Sequence, residues 1–299
     1  MSIVEKAAER LRRELGTGSA QRPTAPAYEP TPHDEARPAP QAPEDSAHDP
    51  AGDRIALDRQ QLNRQGLFPP EAMAPHIARE YQRIKRPLLA MLDSDGEPSR
   101  FANRFMITSA NPGDGKSFTA FNLALSLAGE LDRSVVLVDG DVAKPGISRG
   151  LGLHNHRGLM ELLVDQQSDP NDYLVATDEP RLSVLPAGAR GRNAVERLSS
   201  RRMNEVTSQL ADEPGRIVLF DSAPLLAAAE SQALATHVGH VLMIVRAGST
   251  EKRAVDAAVS LLEPSGADIS LILNQNRMGS GDDYAGYYGF YPNEPERSS

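Results

Sequence analysis

The middle of the chain alternates between short apolar runs and stretches in which apolar residues recur at helical spacing. The runs are 105–107, 134–138, 182–185, 216–220, 241–245 and 269–273, and they have the length and β-branched content of buried strands. Helical patterns separate them at 118–131, around 195–210 and around 251–262. This alternation predicts an α/β fold, a doubly wound, mostly parallel sheet with helices on both faces.

Two helical patterns carry more detailed expectations. The pattern that follows the predicted strand at 105–107 should place on its core face Phe118, Phe121, Leu123, Ala124, Leu127 and Leu131. An earlier pattern, after two prolines at 69 and 70, recurs at Ile77, Tyr81, Ile84, Leu88 and Leu92. We expect it to be kinked or interrupted at Pro87, because proline removes a helical hydrogen bond.

The two ends of the chain differ from its middle. Residues 1–15 predict a short amphipathic helix with Ile3, Val4, Ala7, Ala8, Leu11 and Leu15 on one face. Residues 16–53 are rich in Pro, Ala, Asp, Glu and Ser and almost free of large apolar residues, which predicts a disordered linker. We therefore predict one ordered domain at 54–275, followed by a flexible tail at 276–299.

Composition excludes several classes of protein. The net charge of -9 argues against a nucleic-acid binder, and the lack of cysteine excludes disulfides and thiolate metal sites. The longest apolar runs fall far short of the roughly 18 residues that a membrane span needs. The N-terminus lacks the apolar core of a signal peptide. We expect a cytoplasmic protein with no nucleic-acid partner and no membrane span of its own.

A glycine-rich turn follows the predicted strand at 105–107 and reads Ala110-Asn111-Pro112-Gly113-Asp114-Gly115-Lys116-Ser117. It matches the phosphate-binding loop G-x-x-x-x-G-K-[ST], the P-loop, except that alanine replaces the first glycine. In such a loop, backbone amides and the helix N-terminus bind nucleotide phosphates. Lys116 would reach the β- and γ-phosphates, and Ser117 would join the Mg²⁺ shell. The predicted nucleotide-binding residues are Asn111, Pro112, Gly113, Asp114, Gly115, Lys116, Ser117 and Phe118.

Carboxylates stand at the ends of two further predicted strands. Asp139 and Asp141 follow the run at 134–138, and Asp221 follows the run at 216–220. The carboxyl ends of parallel strands form the ligand-binding edge of such a sheet. A carboxylate there can hold Mg²⁺, directly or through water, or accept a proton from an attacking hydroxyl. Asn274, at the end of the last predicted strand, could contact the base of the nucleotide or simply cap a turn.

The C-terminal tail carries a cluster of tyrosines, namely Tyr284, Tyr287, Tyr288 and Tyr291. Glycines separate them and a Pro-Glu-Arg-Ser segment follows, so a packed strand or helix is not expected here. An exposed tyrosine cluster on a flexible tail suits a modification substrate, and the alternative is an aromatic tail used only for contact.

The P-loop, the strand ends at 139–141 and 221–224 and the tyrosine-rich terminus together resemble the bacterial tyrosine kinases (BY-kinases), over roughly 73–291. The resemblance implies an ATP- and Mg²⁺-dependent kinase whose Walker A, Walker A′ and Walker B motifs are these three segments. It implies catalytic roles for Lys116, Asp139, Asp141 and Asp221. Asp139 would accept the tyrosine proton, whereas the implied metal site is Ser117, Asp141 and Asp221. The tail tyrosines would be autophosphorylation sites.

The family also has a helical Glu-x-x-Arg-x-x-Arg motif at its subunit interface, which Glu80, Arg83 and Arg86 match. Spacing alone would make these residues a solvated face, and the resemblance changes the interpretation to a homo-oligomer contact. The layout is most similar to stand-alone tyrosine autokinases of exopolysaccharide export in exosortase-type gene clusters. The implied activator is a membrane chain-length-determining (polysaccharide co-polymerase) protein, which would hold the chain peripheral to the inner membrane.

Two alternatives remain at this point. A partitioning ATPase of the MinD/ParA type would have the same sheet, but those proteins carry a second lysine early in the loop, where Asn111 stands here. A catalytically weak scaffold that binds ATP only to assemble is the other alternative. It is favoured by Ala143, which stands where the family has arginine in Asp-x-Asp-x-Arg, with Lys144 beside it.

Overall fold

The computed structural model describes residues 54–93, 101–191 and 193–276. The predicted N-terminal helix at 1–15, the linker at 16–53 and the four tail tyrosines lie outside the described residues. The expectations about them therefore stay predictions.

Seven strands form one sheet in the described residues. They are β1 Arg104–Ser109, β2 Ser134–Asp139, β3 Val175–Ala176, β4 Leu182–Leu185, β5 Arg216–Asp221, β6 His240–Arg246 and β7 Asp268–Asn274. Their order is β3-β4-β2-β5-β1-β6-β7, and all neighbours are parallel except β3 and β4. The predicted doubly wound, mostly parallel sheet is confirmed. The sequence pattern did not predict the two-residue antiparallel strand β3.

Helices connect the strands and cover both faces of the sheet. The α-helices of the described residues are α1 Arg59–Arg64, α2 Ala74–Leu92, α3 Lys116–Ala128, α4 Gly146–Gly150, α5 Leu159–Leu162, α6 Ala194–Leu198, α7 Arg201–Ala211, α8 Ala229–Ala235 and α9 Lys252–Leu262. Short 3₁₀ helices lie at Glu71–Met73, Pro170–Tyr173 and Glu263–Ser265.

The central strands are buried on both faces, and this explains their continuous apolar runs. Met106 and Phe220 belong to a core that includes residues of α7, α8 and α9. Their neighbours Phe105 and Leu219 belong to a second core, on the other face, that includes residues of α2 and α3. Each central strand therefore packs into a hydrophobic core on both faces of the sheet. This packing holds its carboxyl end in place.

Two expectations about helices are wrong, and a third is wrong in part. The pattern around 195–210 forms two helices, α6 and α7, because the Ser200 hydroxyl accepts a hydrogen bond from the Met203 amide and starts a new helix. Leu131 is not on the core face of α3, which ends at Ala128, and its side chain is 87% exposed. Helix α2 is not interrupted at Pro87, an exposed position in its last turns, whereas the expected kink there stays a prediction.

Helix α2 continues through Pro87 because tertiary contacts hold the residues on either side of it. Leu88 is buried in the core beside α3. Lys85 is also buried, and its Nζ donates to the Ser126 carbonyl at 2.8 Å and lies 2.5 Å from Glu130 Oε1. The Ser126 carbonyl is one of the last in α3, so the lysine satisfies an acceptor that the helix itself leaves open.

Candidate active site

The carboxyl ends of three adjacent strands bring the predicted site together. Strand β5 lies between β1 and β2 in the sheet. In the parallel register, Asp221 pairs with Ile107 on one side and with Asp139 on the other. The P-loop begins directly after β1, so it lies beside the carboxylates that end β2 and β5. The sheet therefore places the three motifs at one edge.

The P-loop has the backbone conformation that its glycines allow. Gly113 and Gly115 have φ values of +85° and +100°, which disfavour residues with a side chain. Ala110, at the position of the missing first glycine, is fully buried and is absent from the positive-φ residues of the described chain. Alanine is therefore compatible with the loop at this position, which explains the departure from the motif.

Asp114 braces the loop from within. Its side chain is 3% exposed, and its two oxygens accept hydrogen bonds from the Asn111 amide at 3.3 Å and from the Thr250 hydroxyl at 2.9 Å. Asn274 Nδ2 donates to the Asp114 carbonyl at 2.9 Å, so strand β7 also holds the loop. Sequence reasoning missed Thr250, although its place after β6, at the ligand-binding edge, was a usable signal. Contact between Asn274 and a base stays a prediction.

Lys116 opens helix α3 and points towards the carboxylates. Its Nζ lies 3.6 Å from Asp141 Oδ2, and the other oxygen of Asp141 accepts a hydrogen bond from the Lys144 amide at 3.0 Å. Asp141 is buried, whereas Lys144, beside the unusual Ala143, is exposed. The lysine therefore has a nearby counter-charge that holds it at the mouth of the loop.

Asp139 is fully buried, and its two oxygens differ. Oδ2 accepts two hydrogen bonds from Ser148, one from the amide and one from the hydroxyl, both at 2.7 Å. Oδ1 has no hydrogen-bond partner among the described residues. Burial raises the pKa of Asp139 to about 6, against the lowering effect of the Ser148 donors, and the charge of Asp141 raises it further. One oxygen of this carboxylate is thus anchored, and the other is buried without a hydrogen-bond partner.

Asp221 is the most deeply desolvated carboxylate of the site. It is fully buried, and in the part of the chain that the structure describes neither of its oxygens has a hydrogen-bond partner. Burial raises its pKa to about 8, and the charge of Asp139 adds to the effect. Lys116 and the nearby Ser117 hydroxyl act in the opposite direction, but the hydroxyl does not complete a hydrogen bond. A buried carboxylate in this condition calls for a cation or a donor from outside the chain.

The donor set fits Mg²⁺ bound together with a nucleotide. Ser117, Asp141 and Asp221 offer hard oxygen donors, and Mg²⁺ typically combines one or two carboxylates with waters and phosphates. The described residues contain no cluster of three His, Cys, Asp or Glu side chains that could hold a metal alone. The three carboxylate oxygens without a hydrogen-bond partner and the glycine-rich loop are the features that a metal-bound nucleotide would satisfy.

The predicted interface residues lie on α2. Arg83 and Arg86 are exposed, and Arg83 Nη1 is 3.1 Å from Glu80 Oε1 within the same helix. Such an exposed ion pair contributes little to stability, about 0–1 kcal/mol. Within the described ranges, no helix has the length and apolar content to span a membrane.

The buried Asp221 predicts a pH-dependent stability. Its pKa of about 8 lies above the ordinary value of 3.8, so the folded state binds more protons between these pH values and stability falls as pH rises. Asp221→Asn removes the ionisable group. Without nucleotide or Mg²⁺, we expect its melting temperature to exceed that of the wild type at pH 8, and the gap to shrink as the pH falls and to close only near the ordinary pKa of 3.8. Asp256→Asn, at an exposed position of α9, is the control. A pH-independent gap would contradict the prediction.

The chain was compared with known proteins. No family model matches it. It is 35% identical over 185 residues to the tyrosine-protein kinase YwqD of Bacillus subtilis (strain 168), covering 62% of this chain and 76% of YwqD. It is 29% identical over 218 residues to the tyrosine-protein kinase ptk of Acinetobacter johnsonii, covering 67% of this chain but 29% of ptk. This chain therefore spans less than a third of that longer relative.

Solved structures agree with these relatives. The kinase domain of VpsO superposes with a TM-score of 0.59 at 31% identity, covering 69% of this chain and 98% of that domain. The predicted P-loop fold and enzyme class are confirmed. These matches indicate tyrosine kinases and not the alternative, a partitioning ATPase. On the match to YwqD, the chain belongs to the bacterial tyrosine kinase family.

Proposed function

We propose that the chain is an ATP- and Mg²⁺-dependent protein-tyrosine autokinase that phosphorylates its own C-terminal tyrosine cluster and thereby regulates exopolysaccharide polymerisation or export. The observation that carries the proposal is the meeting of the P-loop with two buried carboxylates, Asp139 and Asp221, which have oxygens without a hydrogen-bond partner among the described residues. Phosphoryl transfer requires mainly that the protein position the reactants and neutralise the charge on the phosphates. The residues at this edge of the sheet are suited to both tasks.

Each side chain has a distinct role in this proposal. Lys116 neutralises charge on the phosphates. Ser117, Asp141 and Asp221 would hold Mg²⁺, which would supply positive charge to the transferring phosphoryl group. Asp139 accepts the proton of the attacking tyrosine hydroxyl through its unpartnered oxygen, and its pKa of about 6 makes it a stronger base than an ordinary aspartate.

Mass spectrometry of the tail tests the proposal most directly. Purified protein is incubated with Mg²⁺-ATP, and the tail peptides are searched for phosphate on Tyr284, Tyr287, Tyr288 and Tyr291. Phosphate on this cluster supports the autokinase. An unmodified tail, in protein that binds ATP, would instead favour the weakly catalytic scaffold, for which Ala143 in the place of the family's arginine is the supporting observation.

The proposal includes transfer between subunits of a homo-oligomer. Glu80, Arg83 and Arg86 lie on α2, with both arginine side chains exposed and available to a neighbouring chain. A chain with Lys116→Met is mixed with a second chain that lacks residues 280–299. Phosphate on the first chain can then arise only by transfer between molecules, whereas an unphosphorylated mixture would exclude transfer in trans.

Replacing Arg83 and Arg86 together by alanine is expected to shift the protein towards the monomer, because the exposed charges that pair across the interface are removed. Light scattering measures the mass. Arg79→Ala, at an exposed position of the same helix, is the matched control and should leave the mass unchanged. Thermal stability should change little in both variants, because exposed ion pairs contribute about 0–1 kcal/mol. An unchanged mass of the double variant, beside a wild type that oligomerises, would contradict the interface.

A membrane partner completes the proposal. The support for it is the resemblance to the tyrosine kinases of polysaccharide export, whose implied activator is a membrane protein. We infer that a membrane chain-length-determining protein activates the kinase and keeps it at the inner membrane from the cytoplasmic side. Kinase activity of the purified protein should rise when membranes that contain such a partner are added. Equal activity with and without membranes would remove this part of the proposal.

A further inference from the structure

Ser148 is a buried residue that no motif of the chain includes. It lies in the short helix α4, is 2% exposed, and directs both of its donors at a single oxygen of Asp139. A serine amide and hydroxyl that converge at 2.7 Å on one carboxylate oxygen form strong, charge-assisted hydrogen bonds. The two residues are nine positions apart in sequence, and their contact joins α4 to the end of β2.

A third hydrogen bond fixes the direction of the Ser148 hydroxyl. The amide of Ala187 donates to Ser148 Oγ at 3.0 Å. Because Ser148 Oγ accepts this hydrogen bond through a lone pair, its own hydrogen points in a different direction, towards Asp139 Oδ2. The segment that follows β4 thus orients the serine, and the serine orients the carboxylate.

Helix α4 also lies against the P-loop. A Cβ added to Gly146, the first residue of the helix, would lie 3.4 Å from Ser117 Oγ. One short segment therefore contacts the P-loop serine at its start and holds Asp139 two residues later. The location of the carboxylate is tied to the location of the phosphate-binding residues.

We propose that Ser148 is a positioning residue for phosphoryl transfer, which holds the Asp139 carboxylate in the one orientation that leaves its buried Oδ1 unpartnered for the proton of the tyrosine. The inference rests on the proposed role of Asp139. In this reaction the tyrosine oxygen forms a bond to the γ-phosphorus of ATP as the bond to ADP breaks, and the hydroxyl proton passes to Asp139 Oδ1. Ser148 touches neither the tyrosine nor the phosphate. It keeps Oδ2 occupied, so that only Oδ1 is free to accept the proton.

Three substitutions of Ser148 separate the effect of its hydrogen-bond donor on kcat from the effect of its packing. Ser148→Ala removes the hydroxyl, Ser148→Cys keeps nearly the same shape with a weak donor, and Ser148→Thr keeps the hydroxyl but adds a methyl group to a tight site. We expect kcat to fall about tenfold in the alanine and cysteine variants and by less than about threefold in the threonine variant. The KM for ATP and the affinity for a fluorescent ATP analogue should stay within about twofold of wild type in all three.

Stability and activity should rank the variants in different orders. Threonine should have the lowest melting temperature and the highest kcat of the three, because the extra methyl group strains the packing while the donor is retained. The inference is overturned if cysteine keeps the wild-type kcat while threonine loses it, since packing alone then matters. It is equally overturned if Ser148→Ala retains full kcat.

Asp139→Asn distinguishes a failure of this inference from a failure of the proposed function. We expect it to lower kcat by at least about a hundredfold and the double variant with Ser148→Ala to be no slower, because the serine acts only through the carboxylate. Suppose that Asp139→Asn lowers kcat as expected and that adding Ser148→Ala lowers it by a further factor of about ten. The inference would then be overturned, and the proposed function would stand. Near wild-type activity of Asp139→Asn would overturn the role of Asp139 and the inference with it.

Discussion

Lys116→Met is expected to lower the initial rate of phosphotyrosine formation by about a hundredfold or more while leaving the fold intact. The lysine Nζ lies 3.6 Å from Asp141 Oδ2, and the residue opens the helix that follows the P-loop. Methionine retains the length of the side chain and removes the charge. Removing an interaction that stabilises the transition state by roughly 3 kcal/mol slows a reaction by about a hundredfold. The rate is measured by quantitative mass spectrometry of the tail peptides.

Lys252→Met is the matched control for this prediction. Lys252 is an exposed lysine at the start of α9, so its replacement changes net charge by the same amount away from the P-loop. The control should retain the wild-type rate, and both variants should melt close to the wild type. Activity of Lys116→Met within about tenfold of the wild type would remove the lysine from the catalytic site.

Gly115→Ala is expected to have nearly as large an effect as Lys116→Met, in this case on nucleotide binding, because it changes the backbone of the P-loop. The residue has a φ of +100°, and a Cβ there would lie 2.1 Å from Asn274 Nδ2. The substitution therefore adds backbone strain and displaces the amide that holds the Asp114 carbonyl. Strain of about 1–3 kcal/mol, together with the removal of a hydrogen bond worth about 1 kcal/mol, should weaken nucleotide binding by roughly a hundredfold. Titration with a fluorescent ATP analogue measures the affinity.

Gly113→Ala separates the effect of the steric clash with Asn274 from the effect of the backbone strain. Gly113 also has positive φ, at +85°, but a Cβ there meets no atom of the described residues within 4 Å. It should weaken nucleotide binding by about 5- to 30-fold, because only the backbone strain of about 1–2 kcal/mol remains. Equal reductions of affinity in the two variants would show that the contact with Asn274 is unimportant.

Sequence periodicity was enough for the sheet and for the ends of its central strands. Asp139 and Asp221 could be assigned to one edge because each directly follows a run that is buried on both faces, and parallel strands end together. Ala110 was harder to judge, since its tolerance depends on a φ angle that the sequence does not show.

The residues that support the site were not accessible in the same way. Ser148 and Thr250 belong to no motif, and Thr250 contacts Asp114 across 136 positions of the chain. Lys85 lies within the charged segment matched to the family interface, yet it is buried and contacts α3. Such contacts depend on how helices pack on the sheet, which hydrophobic periodicity does not specify. For the same reason the sequence pattern placed Ser199 and Ser200 within one helix.

The contact between Asn274 and the P-loop has a kinetic consequence. It fixes the end of β7 beside the nucleotide site, 2.9 Å from the Asp114 carbonyl. Tyr284 follows residue 276 by eight positions, and a chain of that length extends to at most about 26–29 Å. In the proposed autokinase, a tail of this length would tether Tyr284 to the site of its own chain at an effective concentration on the order of millimolar. The tail of a neighbour would then compete with this tethered substrate. Initial rates of phosphotyrosine formation, plotted against protein concentration, should therefore separate into a first-order part that is independent of concentration and a part that rises with assembly.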